Sequence, residues 1–248
     1  MNRLALDRIV LKDRLQAITT ALNPGAIKAI CGPNGAGKSS LLACIAGLTR
    51  LDGGDVRLSG TALSQMSAEQ RARQIGYLPQ TPEIAWDVSV ETLVGLGRLP
   101  WRDSSSATAR EAVDRAIAAL DLDHLRDRPA SQLSGGERAR ALMARVLATG
   151  PQWLLADEPL AALDLAQSAA LMRRFREQAR EGKGVILVLH DLATAMNHAG
   201  RVLVLHQGRL VADGPPEQAL SEAVIREVWG VRARWLGEPG ARALAVEG

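Results

Sequence analysis

The chain has 248 residues, 47% of them apolar and 23% charged, with a formal net charge of +3, which suits one or two globular domains with a sizeable core and excludes a disordered chain. Aromatics are only 3% and no basic run is interleaved with them, so nothing argues for nucleic acid as a partner. No apolar run approaches the roughly 20 residues that span a bilayer, and Asp7 and Arg8 interrupt the apolar start where a secretory signal would need its core. The expectation is a cytoplasmic chain.

Taken in order, Ile27 to Cys31 reads as a buried strand, and Ser39 to Leu48 as the helix that follows it. Cys31 and Cys44 sit on apolar faces and read as packed thiols, so no disulfide framework is expected. Val56 to Leu58 and Ile75 to Leu78 read as strands. Between Pro82 and Leu133 the pattern turns helical, at Val88 to Gly97 and Ala107 to Leu120, with residues 102 to 106 as a flexible joint. A further helix runs from Leu133 to about Ala148, and strands return at Trp153 to Ala156, Val185 to Leu189 and Val202 to Leu205. This alternation predicts a wound α/β core with a helical subdomain inserted at about 82–148, all in one domain spanning 1–248. The tail beyond Gly230 is short, with a Pro239-Gly240 turn between apolar pieces. Arginines at 71–73 and 173–176 have helical spacing and read as solvated faces.

Residues 32–40 read Gly32-Pro33-Asn34-Gly35-Ala36-Gly37-Lys38-Ser39-Ser40, between a predicted strand and a predicted helix. Glycines without a Cβ let the backbone curl and aim its N–H groups at phosphate oxygens, Lys38 meets the β- and γ-phosphates, and the Ser39 hydroxyl suits Mg²⁺. The start of the helix adds a favourable dipole for an anion. The apolar run at 153–156 ends in Asp157 and Glu158, which places two carboxylates at the carboxyl end of a strand, where open α/β sheets hold ligands. Asp157 suits the metal, directly or through water, and Glu158 suits a general base for an attacking water. Leu133-Ser134-Gly135-Gly136-Glu137 opens a helix with Ser134 as cap and Glu137 as its box partner.

Leu-Ser-Gly-Gly-Glu between a phosphate loop and an Asp-Glu strand resembles the signature of the ATP-binding-cassette ATPases. The resemblance implies a P-loop NTPase core of ABC-ATPase type with an N-terminal antiparallel β part. It also implies that Gln80 touches Mg²⁺ and the lytic water, that His190 contacts the γ-phosphate, and that Asp164 lies in a loop crossing a dimer interface. Mg²⁺ would then be held by Ser39, Gln80 and Asp157, and residues 133–137 would contact ATP bound to a partner subunit. Segments 93–100, 163–167 and 188–192 are similar to ATPase subunits of importers for iron-siderophores, haem and vitamin B12. Such subunits work as a pair, here a homodimer, on two transmembrane permease subunits at the cytoplasmic face of the inner membrane, fed by a periplasmic substrate-binding protein. The alternatives are an exporter ATPase, which usually carries a different segment in place of 127–132, and a soluble cassette ATPase. The chain departs from the family pattern at Ala139, Leu160 and Ala161. No aromatic residue precedes Tyr77, so the expected adenine-stacking ring is absent, with Arg8 or Arg14 as a substitute platform.

Overall fold

The computed structural model describes residues 2–80, 84 and 87–247. Six strands form the central sheet, in the order β10-β9-β3-β8-β7-β6. They are β3 (Ile27–Cys31), β6 (Ile75–Leu78), β7 (Trp153–Asp157), β8 (Gly184–Val188), β9 (Arg201–His206) and β10 (Arg209–Gly214). All neighbours run parallel except β9 and β10. Parallel strands must be covered on both faces, which is why their sequences are continuous apolar runs. Alternate residues divide between two cores: Ala29, Leu154, Ala156, Leu187 and Val204 face one, and Ile30, Leu155, Ile186, Val188 and Leu203 face the other.

The second core is closed by α1 (Lys38–Ile45) and by a four-stranded antiparallel sheet, ordered β2-β1-β4-β5. Its strands are β1 (Leu4–Leu11), β2 (Leu15–Leu22), β4 (Gly53–Leu58) and β5 (Thr61–Ala62). A polar clamp fixes this sheet to the central one. Arg201 on β9 grips Asp213 on β10 through two bonds of 2.6 and 2.9 Å, and the Thr20 hydroxyl on β2 donates to the same carboxylate at 2.5 Å.

The first core is covered by α3 (Val90–Gly95), α4 (Ala107–Ala119), α5 (Gly135–Ala148), α6 (Leu165–Arg180) and α7 (Leu192–His198), followed by α8 (Pro216–Ala219) and α9 (Glu222–Trp229). A terminal hairpin, β11 (Ala233–Leu236) with β12 (Ala243–Val246), gives the apolar pieces around Pro239-Gly240 a definite structure. The helical run after β6 contains α3, α4 and α5, as the sequence pattern predicts, although its expected start at Pro82 lies outside the described residues.

Three local expectations are corrected. The helix after the phosphate loop ends at Ile45 rather than Leu48, because Gly47 turns with φ 70°. Residues 102–106 are an ordered, bonded turn: Asp103 pairs with Arg98, and Ser106 caps α4 by accepting from the Ala109 N–H at 3.0 Å. Arg71 and Arg73, on α2 (Ala68–Gln74), are not solvated. Arg71 donates to the Met66 carbonyl at 2.6 Å, while Arg73 donates to the Pro100 carbonyl at 2.8 Å and lies 5.0 Å over the Trp101 ring.

That last contact belongs to a rivet holding α5 in place. After α3 the chain tightens into a 3-10 helix (Leu96–Trp101) that crosses the end of α5, so closely that a Cβ on Gly97 would lie 2.1 Å from the Arg145 carbonyl oxygen. Arg98, 7% exposed, pairs with Asp103 and donates to the Ala148 carbonyl at 3.1 Å. Trp101 Nε1 donates to the Thr149 carbonyl at 2.9 Å, and the Thr149 hydroxyl donates back to Gly97 at 2.9 Å. Removing one partner of a buried ion pair strands the other, so Arg98→Ala is expected to cost about 3 kcal/mol. Urea unfolding checks this, and a loss below about 0.5 kcal/mol, the scale of a surface change, would contradict the rivet.

Candidate active site

The strands β3, β6, β7 and β8 point their carboxyl ends the same way, so the loops that leave them meet at one edge of the sheet. A cavity of about 830 Å³ opens there, lined by residues 34–40 together with Gln80, Glu158, His190, Asp13 and Arg14. Gly32 can approach the sheet because it lacks a side chain: a Cβ would lie 2.2 Å from the Leu205 carbonyl oxygen. Gly35 and Gly37 turn with φ of 77° and 99°, conformations that favour glycine. Gly37 is the N-cap of α1 and makes no side-chain capping bond, and no acidic residue occupies the first turn. The first amides of α1 therefore keep their donors for an anion.

Lys38 is 6% exposed, and its ammonium donates to the Gly32 and Pro33 carbonyls at 2.9 and 3.0 Å. Burial lowers its pKa, opposed by the charges of Glu158 and Asp157. Asp157 ends β7 and is 2% exposed. Burial raises its pKa, a bond from the Ser39 side chain works against that shift, and its Oδ1 is buried with no hydrogen-bond partner. An orphaned carboxylate oxygen beside a serine hydroxyl is an oxygen donor set that fits a hard divalent cation. Cys31 and Cys44 are both buried and free, with their thiols pushed up to about 12 and about 11, so they are packing groups, as expected.

Glu158, Gln80 and His190 come from three different strand ends and converge. Gln80 Nε2 donates to Glu158 Oε2 at 2.8 Å, and His190 Nε2 is bonded to Glu158 Oε1. Glu158 itself adopts φ 50°, an unusual backbone for a residue that is not glycine, and its N–H donates to the Val188 carbonyl at 3.2 Å. The strained turn swings the carboxylate away from the strand axis and into the cavity.

Residues 133–137 are built as the capping pattern predicts. The Ser134 hydroxyl accepts from the Glu137 N–H at 3.4 Å, and Glu137 Oε2 accepts from the Ser134 N–H at 2.8 Å, which with the Ser134 side chain holds the Glu137 pKa down. None of the five lines the phosphate cavity. Gly135 instead lines a neighbouring cleft of about 320 Å³ with Gln80 and Glu158, where Ala139 and Ala161 leave space, while Leu160 packs onto the first core. Asp164 caps α6, accepting from the Gln167 N–H at 2.8 Å. Gln167 also fills the space beside Gly136, where a Cβ would meet its Oε1 at 2.4 Å. Neither that contact nor the place of Asp13 in the cavity wall was among the sequence expectations. The polar triplet Lys12-Asp13-Arg14 between two apolar stretches was the available signal. Among the described residues no helix is long and apolar enough to cross a membrane.

The profile of the ABC transporter family matches residues 15–161. The hemin import ATP-binding protein HmuV of Streptomyces coelicolor is 40% identical over 233 residues, covering 94% of this chain and 83% of that protein. HmuV of Nocardia farcinica is 42% identical over 233 residues, covering 94% and 81%. Among solved structures, a metal-chelate type ABC transporter in an inward-facing conformation superposes with a TM-score of 0.82 at 23% identity, over 100% of this chain and 97% of that one, a likeness of fold. An ATP-binding subunit of an ABC transporter gives 0.79 at 26% identity, over 92% and 94%. With the phosphate cradle, the two strand-end carboxylates and the capped glycine pair in one frame, this chain belongs to the ABC transporter ATPases, which hydrolyse ATP to drive transport.

Proposed function

We propose that this chain is the ATPase subunit of an importer and that its cargo is hemin. Relatives named for hemin import, about 40% identical over nearly the whole chain, support that cargo over a siderophore or vitamin B12. Two copies bind two transmembrane permease subunits at the cytoplasmic face of the inner membrane, and a periplasmic substrate-binding protein delivers the cargo. The observation that carries the hydrolytic reading is the position of Glu158, held between Gln80 and His190 at the mouth of the phosphate loop.

In this reading the triphosphate rests on the amides of residues 35–39, and Lys38 turns its ammonium from the Gly32 and Pro33 carbonyls to the β- and γ-phosphates. Ser39, Asp157 and Gln80 would hold Mg²⁺, which when bound offsets the charge on the phosphates. Glu158 takes the proton of a water as its oxygen forms a bond to the γ-phosphorus, and the bond from that phosphorus to the β–γ bridging oxygen breaks, leaving ADP and phosphate. Both Glu158 oxygens are engaged in this structure, so the water enters by displacing Gln80 or His190 from one of them. His190 then donates to the γ-phosphate, where charge gathers.

One chain supplies only half of such a site. Residues 133–137 at the start of α5 do not line the chain's own phosphate cavity, and Ser134 and Gly135 are exposed. A second copy packed head to tail brings Ser134, Gly135 and Gly136 over the γ-phosphate, with the positive end of α5 facing it. Asp164, at the start of α6, borders the same interface.

Glu158→Gln should slow ATP turnover about 10²- to 10⁴-fold while the protein still binds ATP and collects as an ATP-bound dimer on size exclusion. Turnover within about threefold of the parent would remove Glu158 as the base. Lys38→Ala and Ser134→Arg should each be inactive alone. Mixed, they should regain activity, since one of the two shared sites in the heterodimer then pairs an intact cradle with an intact signature. A proven heterodimer as dead as either parent would refute working shared sites. With the permease subunits and binding protein in liposomes, hemin should stimulate ATP hydrolysis and cobalamin should not; the reverse result would reassign the cargo.

A further inference from the structure

The chemistry above leaves without a role a second cleft, where the end of α4 meets α5 and α6. Its volume is about 330 Å³, the size of a small-molecule site. Leu120 and Leu171, each 3% exposed, give it an apolar floor, and its walls carry Arg140 from α5 with Arg173 and Arg174 from α6. Arg174 is already engaged, since its Nη1 donates to Glu177 Oε2 at 2.9 Å. Arg140 and Arg173 are not, and neither makes a hydrogen bond or an ion pair among the described residues. Glu137 feels the charge of Arg140, but its oxygens face elsewhere, Oε2 to the Ser134 N–H at 2.8 Å and Oε1 to Arg128 at 3.7 Å.

Arg140 Nε is buried and has no hydrogen-bond partner. A buried donor without an acceptor is destabilising, and a bound anion relieves it. Guanidinium groups hold oxyanions through paired N–H donors, and two of them on separate helices suit the three oxygens of a phosphoryl group better than the two of a carboxylate. Asp121 and Glu177 also line the cleft, so three arginines stand against two carboxylates and the balance stays basic. Glu177 is offset by Arg174, whereas Asp121, at the turn after α4 with φ 54°, pairs with neither free arginine. Gln167, which fills the space beside Gly136, lines this cleft too. An anion held there therefore lies one side chain away from the start of α5.

We infer that this cleft is a second anion site, separate from the phosphate loop, and that it takes a phosphoryl group between Arg140 and Arg173. Free phosphate and a phospholipid headgroup share that chemistry. The first arm of the test is thermal unfolding of the full chain with ADP and Mg²⁺ present to fill the phosphate loop, comparing inorganic phosphate with sodium chloride at equal ionic strength. Saturating phosphate should raise Tm by about 2 °C or more above chloride. The rise should persist in Lys38→Ala, which cripples the phosphate loop. Arg140→Gln and Arg173→Gln should each weaken phosphate binding about tenfold or more, the worth of one charge-assisted hydrogen bond. Arg173 is exposed, so its variant keeps the test open even where Arg140→Gln fails to fold. Asp121→Asn removes a repelling charge and should bind phosphate at least as tightly as the parent. A smaller rise in Tm, a rise lost in Lys38→Ala, looser binding in Asp121→Asn, or an Arg173→Gln variant weakened less than about tenfold overturns the site. The second arm identifies the source, by sedimentation with vesicles of phosphatidylglycerol and phosphatidylcholine. Binding that Arg173→Gln abolishes assigns the site to a headgroup, and sedimentation equal in parent and variant assigns it to free phosphate.

Discussion

A buried ammonium at the start of α1, where the loop leaving a buried strand ends, is the constraint on which this structure turns. Lys38 is 6% exposed, and desolvation works against its charge. It is held by the carbonyls of Gly32 and Pro33 and by the nearby charges of Glu158 and Asp157. Such a group is most stable when a polyanion arrives, because the anion supplies the charge that the protein supplies only in part. The rest of the fold keeps this arrangement in register. β3, β7 and β8 are covered on both faces, which keeps their ends in register, with Asp157 and Glu158 close enough to act on the lysine's charge and His190 lining the same cavity.

The same economy explains why the chain is built in parts. The phosphate cradle belongs to the sheet, whereas the start of α5 is carried on helices that pack on one face of it. The Arg98, Trp101 and Thr149 contacts tie the far end of α5 to the 3-10 segment that follows α3. Gln167 against Gly136 ties the N-terminus of α5 to α6, which Asp164 caps. A displacement of one of these pieces therefore moves the others, a property suited to coupling hydrolysis with motion in a membrane partner.

Much of this was legible in the sequence, for reasons that particular residues make clear. Central strands such as Ile186 to Val188 are apolar on both faces and announce themselves, and the Ser134–Glu137 box fixes the start of α5 to the residue. The antiparallel sheet was expected as an N-terminal part, and Val56 to Leu58 of β4 was read as a strand, but β1, β2 and β5 were not. β1 and β2 carry register shifts between Leu6 and Ile9, and Arg8 and Ala17 have positive φ, so the two-residue alternation that marks a half-buried strand is broken. The arginines of α2 looked solvated because helical spacing cannot reveal that Arg71 meets the Met66 carbonyl or that Trp101, 28 residues beyond Arg73, lies beside Arg73. The meeting of Glu158, Gln80 and His190 came from family resemblance and not from spacing, since strand order decides which loops become neighbours.

The central claim is that one chain carries half of a hydrolytic site and that the start of α5 in a second copy completes it. Its most direct test is an ATP-dependent crosslink between Asn34→Cys and Ser134→Cys in a single chain. Both positions are exposed and the native Cys31 and Cys44 are buried, so only the introduced thiols can react. With ATP bound and Glu158→Gln present to hold the closed state, mild oxidation should yield disulfide-linked dimers, and without nucleotide it should yield few. Only monomers under conditions where ATP binding is demonstrated would contradict the shared site.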